Sequence, residues 1–231
     1  FPTYSKLNHD PGELRDAYLN VLSVIAIFAA STSTGIAFVA DDLVMLLLGP
    51  NWMGATPFVF WLTFAAGVTA YSHSVFLILS TMGRIRRSAT QAWLRLIVMV
   101  PALWLAASSF GAEAIAITYL GGVVLLAPTY FMLLKPVLPF SYLSIVSLTW
   151  RPILSAAAMA LVLTLVPENW LAGEPLARLA VKVPLGAVAF TSTLFLLWAA
   201  SGRKGGAERA ALRFATTRVN GLRAWLVARQ T

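Results

Sequence analysis

AEAIAITYLGGVVLLAPTYFMLL, at residues 112–134, decides the fold class, because it carries a single charged side chain, Glu113, over its whole length. A helix of about 20 such residues is long enough to cross the hydrocarbon core of a bilayer. Five further apolar stretches of similar length are Tyr18 to Ala40, Thr56 to Met82, Ser88 to Ser108, Thr149 to Val166 and Leu176 to Ala200. Lipid offers the backbone no hydrogen-bond partners, and the stretches are too long for barrel strands. The sequence therefore predicts an all-α, polytopic transmembrane bundle of six membrane-spanning helices.

The composition supports this class and excludes others. Hydrophobic residues make up 59% of the 231 residues and charged residues 11%, with a mean hydropathy of +0.78. So few charges could not cover the surface of a soluble domain. The net charge of +8 comes from cations at the ends of the apolar stretches, which indicates membrane topology and lipid headgroups rather than nucleic acid. Without cysteine there is no disulfide, thiol nucleophile or thiolate metal site.

The cations between the stretches fall in alternate connections. They are Lys6 and Arg15 before the first stretch, Arg84, Arg86 and Arg87 after the second, and Lys135 after the fourth. The connections at 41–55, 109–111 and 167–175 contain no Lys or Arg. Because cytoplasmic loops carry the excess of Lys and Arg, both ends of the chain are predicted to be cytoplasmic.

The two ends of the chain are polar. Residues 1–17 are interpreted as a cytoplasmic connection between two helices, so the chain is expected to be the later part of a longer protein. Residues 201–231 contain seven cations, and apolar residues recur there at three- and four-residue steps. That spacing predicts an amphipathic C-terminal helix lying on the cytoplasmic leaflet; the alternative is a partly disordered basic tail.

Several short motifs occur in a familiar order. They are FPTYSKL at 1–7, GIA at 35–37, DDL at 41–43, LLGPNW at 47–52 and MGR at 82–84. Together they resemble the second half of bacterial polysaccharide flippases, which belong to the multidrug/oligosaccharidyl-lipid/polysaccharide exporter superfamily. The chain differs in carrying STST at 31–34, where that family often has a proline.

The resemblance implies an architecture and a function. Residues 18–134 would supply four helices of the second of two six-helix lobes, and residues 135–200 two additional C-terminal helices. The missing N-terminal lobe of the same protein would be the main protein partner, and membrane lipids would surround both. The complete protein would move undecaprenyl-diphosphate-linked oligosaccharide to the periplasmic leaflet of the bacterial inner membrane by alternating access, without a cofactor.

Ionisable residues inside the stretches are the best candidates for substrate binding, because a charge at the bilayer centre is costly unless it finds a partner or water. Arg95 could line a cavity and bind a diphosphate through two hydrogen bonds, or its side chain could snorkel back to the headgroups. His73, near the midplane, could exchange a proton; the alternative is a neutral ring satisfied by neighbouring hydroxyls. Arg84, Arg86 and Arg87 could collect anionic headgroups at the entrance, or serve only as a topological signal.

Other polar residues are expected to be structural. Lys182 is predicted to snorkel and Arg151 to anchor its helix at the interface. The hydroxyl-rich stretch Ser31 to Gly35 either faces a water-filled pathway or lets a neighbouring helix approach closely.

Three other functions compete with the flippase. A cation-coupled drug exporter of the same superfamily would be expected to offer acidic groups, and no Asp or Glu lies deep in the predicted stretches. A non-transporting scaffold could recruit polysaccharide enzymes through the basic tail. An enzyme is disfavoured, because the chain has two separated histidines, scarce carboxylates, no evident metal site and no long connection to hold a substrate.

Overall fold

The computed structural model describes residues 11–136, 138, 140–166 and 174–201. This part of the chain is helical and contains no strand. Its seven α-helices are α1 (Pro11–Phe38), α2 (Ala40–Leu47), α3 (Thr56–Thr81), α4 (Ile85–Ser109), α5 (Ala112–Leu134), α6 (Tyr142–Thr164) and α7 (Pro175–Ala200). All except α2 are long and apolar enough to cross a membrane. The prediction of a six-span helical bundle is confirmed, and the chain is a multi-pass membrane protein.

The helices pack as an extended bundle around α1. Helix α1 lies between α3 and α6; α5 packs on the other side of α3, and α4 packs on α5. Helix α7 packs on α6 and also contacts the short helix α2. The two helices predicted to be additional to the lobe are thus joined to the bundle through α1 and α2.

The main core cluster gathers helix ends that the sequence predicts to be cytoplasmic. It contains Leu14 at the start of α1, Leu79 at the end of α3, Leu134 at the end of α5 and Ile145 at the start of α6. Because neighbouring spans run in opposite directions, these ends share one side of the bundle. Which side of the membrane that is remains a prediction.

Two predicted boundaries are wrong. Helix α1 begins by Pro11, so part of the predicted connection at 1–17 is helical. Helix α6 begins at Tyr142 rather than Thr149, with Ser141 as its N-cap: the Ser141 hydroxyl accepts from the Leu143 amide at 3.3 Å. Hydropathy alone missed this start, since the first two turns contain several hydroxyl residues. Ser followed by an apolar run is the signal that could have placed it.

The connection at 41–55, predicted to be extracytoplasmic, is mostly helical. Helix α2 follows α1 after Val39, and a 3-10 helix spans Pro50–Ala55. Asp41 and Asp42 lie in the first turn of α2, where acidic side chains favour the positive end of the helix dipole.

The hydroxyl-rich part of α1 is a close-packing surface. A Cβ added to Gly67 of α3 would lie 2.9 Å from Ser33 Oγ, and one added to Gly35 would lie 3.2 Å from Met159 Cε. The Ser33 hydroxyl donates to the Ala29 carbonyl of its own helix at 2.6 Å. Neighbouring helices thus approach closely at Ser33 and Gly35, while Ser33 and Thr34 also line a cavity between the helices, so both alternatives for this stretch stay open. The predicted C-terminal amphipathic helix lies outside the described residues.

Candidate functional site

A cavity of about 420 Å³ lies between α3, α4 and α5, within the size range of small-molecule sites. Its polar lining comes from all three helices: His73 of α3, Ser88, Gln91 and Arg95 of α4, and Tyr119 and Tyr130 of α5. The structure therefore brings together His73 and Arg95, the two candidate residues predicted inside spans. We call this space the α4 cavity.

Arg95 is the cation of the α4 cavity. It lies ten residues after Ile85, about 15 Å along the helix and thus near mid-span. Its Nη2 donates to the Tyr119 hydroxyl at 2.7 Å, and its Cζ lies 5.7 Å from the centroid of the Tyr119 ring. Among the described residues, no carboxylate lies within ion-pair distance of Arg95. The guanidinium thus has a neutral partner and no counter-charge in this part of the chain.

The contact with Tyr119 holds the Arg95 guanidinium against a neighbouring span. Tyr119 lies seven residues after the start of α5, so both partners lie within their helices rather than at the ends. Binding of a diphosphate by Arg95 and snorkelling to the headgroups both stay predictions.

His73 is exposed, and its ring packs 5.2 Å from the ring of Phe76. The described residues supply no hydrogen bond to it. The neighbouring Ser74 hydroxyl donates to the Tyr71 carbonyl at 2.8 Å and lies 3.2 Å from the Tyr18 hydroxyl. The prediction of a ring satisfied by adjacent hydroxyls is wrong for this arrangement.

The arginine cluster Arg84, Arg86 and Arg87 does not line the α4 cavity. Arg84, in the turn before α4, and Arg86, in the first turn of that helix, are both exposed. Arg87 Nη1 donates to the Leu133 carbonyl at 3.1 Å, which satisfies a carbonyl in the last turn of α5 where cations are favoured. Binding of headgroups or substrate by this cluster stays a prediction.

A second cavity, of about 540 Å³, separates α1, α3 and α6. Its lining is apolar and rich in small residues, among them Ala26, Ala30, Ala156 and Ala160. Ser33, Thr34 and Gly67 also line it. This cavity presents almost no group that could hold a charge.

A buried ion cluster joins α2 to α7. Lys182 Nζ lies 2.7 Å from Asp42 Oδ2, and Arg178 Nε lies 2.9 Å from Asp42 Oδ1. The Asp42 side chain is 2% exposed and that of Lys182 14%. The prediction that Lys182 snorkels is therefore wrong, because the ammonium pairs with a carboxylate inside the protein.

Arg151 also differs from its prediction. A span that begins at Thr149, as the hydropathy predicts, places Arg151 at the interface. In the structure it lies nine residues into α6, is 8% exposed, and its Cζ is 5.6 Å from the Trp150 ring. It is a buried residue of the bundle.

Comparisons with known proteins agree with the resemblance found in the motifs. A family model described as polysaccharide biosynthesis protein matches residues 1–57. The chain is 25% identical over 197 residues to an uncharacterized membrane protein in the cps region of Klebsiella pneumoniae. It is 24% identical over 153 residues to the lipopolysaccharide biosynthesis protein WzxC of Escherichia coli strain K12.

These alignments cover 85% and 66% of this chain but only 40% and 31% of the two relatives. The chain thus spans less than half the length of the curated relatives that it matches. No solved structure matches it significantly.

Proposed function

We propose that this chain, which is similar to bacterial membrane proteins of polysaccharide biosynthesis, is the later part of a flippase for lipid-linked oligosaccharide. The complete protein would move undecaprenyl-diphosphate-linked oligosaccharide from the cytoplasmic to the periplasmic leaflet of the inner membrane. The likeness to the cps-region membrane protein and to WzxC supports this class of function. The observation in the structure that carries the proposal is Arg95, a mid-span cation in a cavity without a counter-charge among the described residues.

Arg95 lies near the middle of its span without a counter-charge among the described residues, and this placement is energetically costly. Placing Arg at the centre of a span costs about 2.5 to 3.5 kcal/mol or more. The hydroxyl and ring of Tyr119 offset part of this, since they supply a hydrogen bond and a cation-π contact. A diphosphate would supply the missing charge and could accept two parallel hydrogen bonds from the guanidinium. An anionic substrate therefore fits the α4 cavity better than a neutral or cationic one.

The transport cycle that we propose is alternating access. The missing N-terminal lobe would face this bundle, and rocking of the two lobes would expose the site to each side of the membrane in turn. Both ends of this chain would lie in the cytoplasm, with Arg84, Arg86 and Arg87 near the inner headgroups as an entry zone for anionic lipid.

Complementation in the native host tests this function. The full-length gene is deleted, and surface polysaccharide is restored from a plasmid that carries wild type or a variant. We expect wild type and Thr90→Val to restore the polymer and Arg95→Ala to fail at equal expression. Thr90 is the control position, because it is exposed on the same helix and does not line the cavity. Normal polymer from a strain that lacks the gene would refute the transport role.

A drug exporter of the same superfamily is less well supported, because it would need a free acidic group to bind a cationic drug. The described residues contain one buried acid in the predicted connection at 41–55, Asp42. Its two oxygens already pair with Arg178 and Lys182, so it offers no free negative charge to a cationic drug.

A further inference from the structure

The α4 cavity contains neutral polar groups that the binding of a phosphate does not explain. Ser88, Gln91 and Arg95 follow one another at steps of three and four residues, so they share one face of α4. Ser88 is 8% exposed and Gln91 3% exposed, and both line the cavity. Together they form a continuous polar stripe that runs from the first turn of α4 to Arg95.

Two of these groups lack partners although they are buried. The Ser88 hydroxyl has no hydrogen-bond partner among the described residues, and neither has Gln91 Nε2. Burying an unsatisfied polar group is unfavourable, so such groups in a cavity point to a ligand or to water that completes them.

The Gln91 amide can serve either kind of partner. The Thr129 hydroxyl lies 2.9 Å from Gln91 Oε1 and 2.6 Å from the Leu126 carbonyl oxygen, and its one proton serves one acceptor at a time. In either orientation of the amide, one end lies at Thr129 and the other has no partner among the described residues. The end without a partner is then a donor or an acceptor.

The chemistry of the stripe changes along its length. Arg95 is a cation that only donates, which suits an oxyanion. Ser88 and Gln91 are neutral groups that can both donate and accept, which suits hydroxyl groups that do the same. Gln91 and Arg95 are four residues apart, about 6 Å along the helix axis. The stripe therefore matches a ligand with a charged phosphate at one end and a ring of hydroxyls directly attached to it.

We propose that the α4 cavity is a glycosyl phosphate site, in which Arg95 binds the phosphate and Gln91 and Ser88 bind hydroxyls of the sugar attached to it. This inference rests on the proposed function and deepens it, because it assigns the cavity to the junction between phosphate and first sugar. Tyr119 positions the guanidinium, and Tyr130 and His73 border the space for the sugar.

Equilibrium binding to the purified full-length protein in lipid nanodiscs tests the site. The probes are inorganic phosphate, free glucose, and the 1-phosphates of glucose, galactose and N-acetylglucosamine, measured by isothermal titration calorimetry. We expect at least one sugar phosphate to bind about tenfold or more tighter than inorganic phosphate, the gain expected from one or two added hydrogen bonds. Free glucose is expected to bind weakest, since it lacks the charge.

The variants separate the two halves of the site. Gln91→Leu and Ser88→Ala are expected to abolish the preference for sugar phosphate while leaving the affinity for inorganic phosphate unchanged. Arg95→Gln is expected to weaken every anion by about tenfold. Thr90→Val is the matched control, because Thr90 is exposed on the same helix, does not line the cavity, and donates to the Arg86 carbonyl of that helix. Thermal melting of each variant checks that the protein still folds.

Three results would overturn the assignment: inorganic phosphate binding as tightly as every sugar phosphate, a preference that survives in Gln91→Leu and Ser88→Ala, or no binding of any anion. Failure of the proposed function is distinguishable from these. If the purified protein binds the probes but its gene is not needed for surface polymer, the transport role is refuted and the glycosyl phosphate site stands. If the gene restores polymer but the purified protein binds no probe, only the glycosyl phosphate site is refuted.

Discussion

Neutralising Asp42 should destabilise the bundle more than any exposed charge does, because it leaves two cations without a partner inside the protein. The variant Asp42→Asn keeps the shape of the side chain but removes its charge, so Arg178 and Lys182 of α7 face each other and a neutral amide. Removing one partner of a buried ion pair costs about 3 to 5 kcal/mol. Lys182→Met should cost less, since Arg178 still balances the carboxylate.

The size of the coupling follows from the geometry. At the observed separation of 2.7 Å between Lys182 Nζ and Asp42 Oδ2, two unit charges attract by about 6 kcal/mol at an effective dielectric constant of about 20. The cost of removing both charged groups from water offsets more than half of this attraction. We therefore expect a coupling free energy of about 2 kcal/mol from a double-mutant cycle of Asp42→Asn and Lys182→Met.

The assay is reversible unfolding of the full-length protein in mixed detergent micelles, followed by tryptophan fluorescence. The matched control is the pair Arg15–Asp16, whose Nε and Oδ1 atoms lie 3.2 Å apart but whose side chains are 45% and 68% exposed. An exposed pair of this kind is expected to couple by at most about 0.5 kcal/mol. An Asp42–Lys182 coupling no larger than that of the control would refute the argument that burial makes this cluster strong.

Two further predictions concern packing and topology. Gly67→Ala should lower the stability by about 1 to 3 kcal/mol, because the added methyl meets Ser33 at 2.9 Å, whereas Gly121→Ala, which meets nothing within 4 Å, should not; equal melting temperatures for the two variants would contradict this. For topology, we expect a single cysteine at Arg86 to react with an impermeant maleimide only after the cytoplasmic side is opened, and one at Ser109 to react in intact cells. The reverse pattern of labelling would invert the predicted orientation.

The spans could be predicted from the sequence because crossing a bilayer requires a minimum apolar length, which hydropathy measures directly. The helix starts were harder. Helix α6 begins at a Ser141 cap, before its apolar part, and Asp41 and Asp42 of α2 lie in a stretch that hydropathy predicts to be a connection between spans. The local sequence does not show that Arg178 and Lys182, distant along the chain, pair with the buried Asp42.

The candidate site was predicted in part. Depth along the helix identified Arg95 and His73, and the structure places both at one cavity. The sequence analysis does not identify Ser88 and Gln91, because neutral polar residues near the end of a span change the hydropathy profile very little. Their spacing from Arg95 on one helix face is the signal that could have found them. The pairing of Asp42 with Lys182 had no local signal, because it depends on how α7 packs against α2.

The distance in sequence between Asp42 and Lys182 also has a consequence for biogenesis. The two residues are 140 positions apart, so at about 5 to 20 residues per second the ribosome needs about 7 to 28 s to synthesise the segment between them. Throughout that interval the nascent chain holds an acid whose counter-ion has not yet been made. The Asp42 carboxylate therefore cannot be buried as an ion pair until α7 has been made, and chains released before α7 are expected to be degraded faster than complete ones.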